Sequence, residues 1–126
     1  MIIKTKKFDR WARKAGLIDS LLCHAVEEMV KGLIDADLGG RVYKKRIALP
    51  GKGKSGSVRT LLATNWNDRW FFMFGFEKND RANISTKELE ALQLLADDLL
   101  SLKEDQIRQA VVDGSFIEVI HEKTNE

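Results

Sequence analysis

The chain is poor in the residues that mark covalent staples and metal centres. It has one cysteine, Cys23, so an internal disulfide is excluded, and its place in a helical pattern makes it a buried thiol. Its two histidines, His24 and His121, fall in separate elements, and neither belongs to a Cys/His pattern with metal-ligand spacing; His24 reads as a helix-flank residue. No nucleophile–base motif is visible around Ser55 or Ser57, and Cys23 has no evident partner. Metal-assisted and covalent Ser/Cys chemistries are unsupported, and no cofactor is expected. Long apolar runs are missing too. The start, "MIIKTKKF", lacks the apolar run of a signal peptide, and no segment is apolar enough to span a membrane, so a cytoplasmic protein is expected. Repeats, low-complexity tracts and linkers are also absent, which makes residues 1–126 one expected domain.

The most informative absence is that of negative charge. Between Leu38 and Asn67 there is no Asp or Glu, while Arg41, Lys44, Lys45, Arg46, Lys52, Lys54 and Arg59 add seven positive charges. Residues 85–126 carry 4 basic against 10 acidic groups, so the formal net charge of +2 conceals a polarised distribution. A compact field of one sign attracts polyanions. The remaining composition, 44% hydrophobic and 32% charged, is that of a chain able to bury a core.

The basic stretch contains "ALPGKGKSGSVRTLLATNW", in which Gly53-Lys54-Ser55 has the look of a nucleotide-binding phosphate loop. Two features argue against that reading. The first glycine of the motif is replaced by Ala48, and the residues that follow, Val58 to Thr64, have the β-branched and apolar character of a strand. Without a helix N-terminus behind it, such a loop lacks the aligned N–H groups that hold a triphosphate. A glycine turn can still press backbone N–H groups and two lysines against an anion, and Arg59 would project from a rigid strand beside it.

What is present organises readily. Phe8, Trp11, Ala12 and Ala15 followed by Gly16 predict a short helix, and Leu22, Val26, Met29 and Leu33 predict a second, capped by Asp19 or Ser20. Strands are expected over residues 41–49, 58–65 and 69–77, the last two joined by the turn Asn65-Trp66-Asn67-Asp68. The unbroken apolar run "WFFMFGF" suggests a central strand covered on both faces. Ser85-Thr86-Lys87-Glu88 is a capping box before a leucine-striped helix. A shorter helix from Glu104 ends at Asp113-Gly114, and "SFIEVIHE" offers a final short strand. The expected layout is therefore helical over 1–37, sheet over 41–78, and helical again over 85–126 with that closing strand. Helices, a strand meander and further helices indicate an α+β fold.

"YKKRIALPGKGKSGSVRTLLATNW", then "RWFFMFGFEKNDRANIS" and the leucine-rich helix, resemble the RelE/ParE toxin superfamily of bacterial toxin–antitoxin modules, and within it the RelE-like and HigB-like branch. The resemblance covers roughly residues 2 to 102, and its most specific part is the G-K-G-K-x-G-x-x-R passage from loop to strand. It implies a RelE-like microbial RNase fold, with N-terminal helices packed on a small antiparallel β-sheet and C-terminal helices after it. It also implies a toxin that cuts mRNA in the ribosomal decoding site without metal and is neutralised by a cognate antitoxin, often a small helix-turn-helix protein.

The expected catalytic set is Lys54, Arg59, Lys78 and Arg81, and the expected RNA-binding set Tyr43, Lys44, Lys45, Arg46 and Lys52. Lys52 and Lys54 match the loop lysines, Arg59 the strand arginine that contacts phosphate, and Lys78 the basic residue of the turn. The chain departs from the family where Asn79 replaces an arginine and Ser85 a late tyrosine, so Arg81 is assigned as substitute acid or charge stabiliser and Tyr43 as a stacking residue. Two alternatives share the fold: a non-catalytic, ParE-like gyrase inhibitor, and an inactive nucleic-acid- or antitoxin-binding protein. The loop lysines and Arg59 favour RNA, because an inhibitor of a protein target does not require them.

Overall fold

The computed structural model describes residues 1–51 and 56–120. Along the chain run strand β1 (Ile2–Thr5), helices α1 (Lys6–Ala15) and α2 (Asp19–Val30), and strands β2 (Ala36–Asp37), β3 (Val42–Ala48), β4 (Ser57–Thr64) and β5 (Trp70–Glu77). Helices α3 (Thr86–Ser101) and α4 (Glu104–Asp113) and strand β6 (Phe116–Glu118) complete the order. The strands form one sheet in the order β2-β3-β4-β5-β1-β6. All neighbours are antiparallel except β1 and β5, which run parallel.

The expected α+β fold is present, with a mixed sheet flanked by N- and C-terminal helices. Neighbouring residues of one strand divide between its two faces. Leu62 and Phe72 pack with Phe8, Leu22 and Met29 of α1 and α2, whereas Leu61 and Phe71 pack with Leu92, Ala96 and Leu99 of α3 and Ile107 of α4. The sheet is thus covered on both sides, which is why β5 reads as continuous apolar sequence. A register shift contributes as well: Leu61 pairs with Phe74 but Leu62 with Phe72, leaving Met73 as an extra residue in β5. One glycine in β5 is required by packing. A Cβ on Gly75 would lie 2.1 Å from Cζ3 of Trp11, so the indole sits directly on the strand backbone.

Residues 1–37 are not purely helical, because they also contribute β1 and β2. Four residues are too few for a readable alternation, and the parallel pairing of Ile3 with Phe71 is a tertiary event. The Thr5 hydroxyl then caps α1, accepting from the Phe8 N–H at 3.2 Å, and Gly16 closes that helix with φ 79°. At α2 the expected cap moves. Ile18 occupies the N-cap, and the Asp19 carboxylate accepts instead from Lys4 Nζ at 2.8 Å. The helix ends at Val30, so Leu33 drops out of its stripe and is 56% exposed. The capping box at Ser85 and Glu88 and the glycine stop at Gly114 are both present.

Where β1 meets α1 and α2 lies an ionic cluster with a buried centre, Lys4 and Asp9, and more exposed flanks, Asp19 and Arg13. Lys4 Nζ stands 2.8 Å from both Asp9 Oδ1 and Asp19 Oδ1, and Arg13 Nε lies 2.9 Å from Asp9 Oδ2. Burial opposes the Lys4 charge, but the bonds to Asp19 and Asp9 outweigh it and raise the amine above its ordinary value. Burial likewise opposes ionisation of Asp9, and the bonds from Lys4 and Arg13 outweigh it, holding that carboxyl low. Nearby, Cys23 is buried and free, and burial with the adjacent Asp19 and Glu27 charges pushes its thiol up.

Candidate nucleic-acid interface

Strand parity decides which of the basic residues act together. On β3, Val42, Lys44 and Arg46 share the face toward α3, while Tyr43, Lys45 and Ile47 face α1 and α2. The β3–β4 register sets Arg46 directly opposite Arg59, and β5 continues the row with Phe76 opposite Arg59. Two like charges opposite each other on adjacent strands cost about 0.5 kcal/mol in the absence of an anion. Neither guanidinium meets a carboxylate among the described residues; Arg59 Nη1 donates only to Ser57 Oγ, at 3.0 Å. Lys44 lies on the same face, half-buried opposite Leu61.

A third guanidinium joins the row from the segment after β5. Arg81 Cζ stands 5.6 Å from the Phe74 ring centroid and 6.0 Å from that of Phe76. Lys7 Nζ lies 5.7 Å from the same Phe74 ring. Phe74 and Phe76 are thus an aromatic floor under a set of cations. Lys78 follows β5 in the turn and is exposed, and the Asp80 and Arg81 N–H groups donate to the Glu77 carbonyl at 3.0 and 3.3 Å.

The remaining basic residues of the acid-free stretch are otherwise engaged. Lys45 is 7% exposed, lies on the opposite face, and spends its ammonium on Glu28 at 2.8 Å and the Leu33 carbonyl at 3.1 Å. Arg41 pairs with Asp97 at 2.8 Å. Tyr43 packs edge-on against Trp66, with ring centroids 5.1 Å apart, and Trp66 leans on Trp70 at 5.5 Å. The structure therefore brings Lys44, Arg46, Arg59 and Arg81 to one face and takes Lys45 and Tyr43 away from it. Lys52 and Lys54 lie outside the described residues, as does His121. The loop that carries the two lysines is closed at its base by Leu49 N–H donating to the Gly56 carbonyl at 3.0 Å, at the Arg59 end of the hairpin. A strand, β4, follows it rather than a helix, so no helix N-terminus lies behind the loop to hold a triphosphate.

The matching family model is that of the RelE toxin of RelE/RelB toxin–antitoxin systems, over residues 1–119. The chain belongs to the RelE toxin family. No curated protein and no solved structure is matched by it. Among the described residues of this RelE-family toxin, no three His, Cys, Asp or Glu side chains are grouped so as to hold a metal ion. His24 is exposed on α2, 3.3 Å from Glu28 and 3.8 Å from Glu27. No helix among the described residues is long and apolar enough to cross a membrane.

Two features of this candidate site were not among the expectations drawn from the sequence. One is the Arg46–Arg59 opposition, which depends on the register of β3 against β4. The other is Glu88, whose capping role was legible but whose Oε1 also meets Arg81 Nη1 at 2.5 Å. The spacing of Arg81 and Glu88 across a helix start was the signal that could have disclosed it.

Proposed function

We propose that this RelE-family toxin is a ribosome-dependent, metal-independent mRNA endoribonuclease that arrests translation, of the RelE-like and HigB-like branch, and that it is held inactive by a cognate helix-turn-helix antitoxin in the cytoplasm. The observation that carries the reading is that Arg46 and Arg59 are cross-strand partners on one face of the sheet, with neither guanidinium paired with a carboxylate among the described residues. A protein retains such a repulsive pair when an anion completes it, and a phosphodiester has the right charge and the two oxygens a guanidinium fork takes.

The reaction needs three things of its cations. The RNA 2′-oxygen attacks the adjacent phosphorus, forming the O2′–P bond as the P–O5′ bond breaks, to leave a 2′,3′-cyclic phosphate and a 5′-hydroxyl. One group removes the 2′ proton, positive charge steadies the crowded phosphorane, and an acid protonates the departing 5′-oxygen. Arg59 and Arg46 are assigned to the phosphate oxygens, and Arg81 and Lys78 to the developing charge or the leaving group. Lys54 is assigned as base, with Lys52 gripping the substrate; neighbouring cations lower a lysine's pKa and let it accept a proton near neutrality. Lys44 extends the RNA track along β3.

Inducing the chain in cells and mapping mRNA 5′ ends tests the proposal. Growth arrest with cuts in translated messages is the expected result. Arrest without cuts would instead support the gyrase-type reading, and no arrest an inactive binding protein.

A further inference from the structure

Arg81 stands in a segment, residues 78–85, with neither helix nor strand to hold a side chain in place. Its guanidinium is nevertheless fixed on two sides. Phe74 and Phe76 lie beneath it, and Glu88 Oε1 takes Nη1 at 2.5 Å. The same Glu88 oxygen accepts the Ser85 N–H at 2.8 Å, while Ser85 Oγ accepts the Glu88 N–H at 3.1 Å. One carboxylate therefore closes the cap of α3 and grips the arginine, tying Arg81 to the first turn of a long helix. The Arg81 hydrogen bond, followed by the Ser85 backbone bond, lowers the Glu88 pKa to about 2, so the grip is charged at any cellular pH.

We propose that Glu88 is a positioning residue of the RNA-cleaving site, its carboxylate orienting the Arg81 guanidinium over Phe76, beside Arg59, for contact with a phosphate oxygen. The proposal rests on the endoribonuclease reading above. A carboxylate at a phosphate site weakens attraction for RNA, and the cap requires only a glutamate or glutamine here, so the charge itself is put to use in holding Arg81. An unrestrained arginine carries about 2 kcal/mol of rotamer entropy, and Glu88 removes that cost before substrate arrives. One Nη1 hydrogen is used, and the guanidinium has five N–H donors in all, so most of the fork is left for a ligand. The arrangement also accounts for Asn79: the cation missing directly after Lys78 is supplied by Arg81, delivered through a helix cap.

Glu88→Gln separates the two duties of this side chain, because glutamine serves equally in a capping box but carries no charge. The expected result on ribosome-bound message is a kcat lowered between about tenfold and a hundredfold, with KM little changed. The melting temperature should fall by no more than a few degrees, the loss of one charge at a helix N-terminus, and Glu88→Gln should cause no further loss of cutting in an Arg81→Ala background. The Arg81 Nε–Hε resonance, dispersed in the wild type, should collapse to the position of a free arginine. Wild-type or faster cutting by Glu88→Gln would overturn the proposal, as would an equal loss in the Arg81→Ala background. If the wild type cuts no message, the enzymatic reading fails by itself; an unshifted Arg81 resonance in Glu88→Gln then overturns the orientation too, and a collapsed one sustains it.

Discussion

Arg46 of β3 and Arg59 of β4 are direct cross-strand partners on the face of the sheet that also carries Phe76 and Arg81. The hairpin sets two arginines opposite each other, and among the described residues only the Ser57 hydroxyl is hydrogen-bonded to the Arg59 guanidinium. This is a local conflict between stability and function, and conflicts of that kind concentrate at sites built for a ligand.

Arg59→Ala should therefore abolish message cutting, by about a hundredfold or more, as loss of a transition-state donor does. The variant should melt at the wild-type temperature or slightly above it, since the repulsion with Arg46 is relieved. Paired measurements of cutting rate and thermal unfolding check this, and a fully active variant would remove Arg59 from the site.

Lys44 and Lys45 should behave oppositely despite being adjacent. Lys44→Ala should weaken RNA binding and reduce the slope of log affinity against log salt by about 0.7, one phosphate contact on a single strand. Lys45→Met should leave RNA binding and its salt slope intact but lower stability, because it strands Glu28 and the Leu33 carbonyl. Filter binding at several salt concentrations, with melting curves for both variants, distinguishes them.

The Lys4 cluster predicts a stability plateau with two shoulders. Asp9 has a folded pKa below its ordinary 3.8, so its contribution is present above that value and is lost as pH falls through the folded one. Lys4 has a folded pKa above its ordinary 10.5, so its contribution is complete below that value and is lost as pH rises through the folded one. Urea unfolding across pH should show both declines. Lys4→Met should lower the plateau by about 1–3 kcal/mol, abolish the alkaline shoulder and shrink the acid one, because Asp9 keeps Arg13 as its sole remaining cation among the described residues.

Gly75→Ala should destabilise the fold by about 1–3 kcal/mol through overpacking against the Trp11 ring. Truncating the indole as well, in Trp11→Ala/Gly75→Ala, should make the Gly75 substitution nearly neutral, though Trp11→Ala alone is costly. A double-mutant cycle from denaturant unfolding supplies the coupling.

Local chemistry alone determined much of this molecule. Gly16 and Gly114 stop helices, Ser85 and Glu88 start one, and the Asn65–Asp68 turn joins two strands, because each depends on hydrogen bonds within a few residues. The acid-free stretch was equally legible, since composition survives any folding, although folding brings Asp97 to Arg41 and Glu28 to Lys45. Long-range pairing decided the rest. Parallel docking of β1 on β5 drew in residues that carry no strand pattern of their own, and strand parity sent Lys45 to Glu28 while sending Arg46 to Arg59. A strand's side chains alternate by a period of two, so one position separates a buried cation paired with Glu28 from an exposed one opposite Arg59, and only the register across the sheet says which is which.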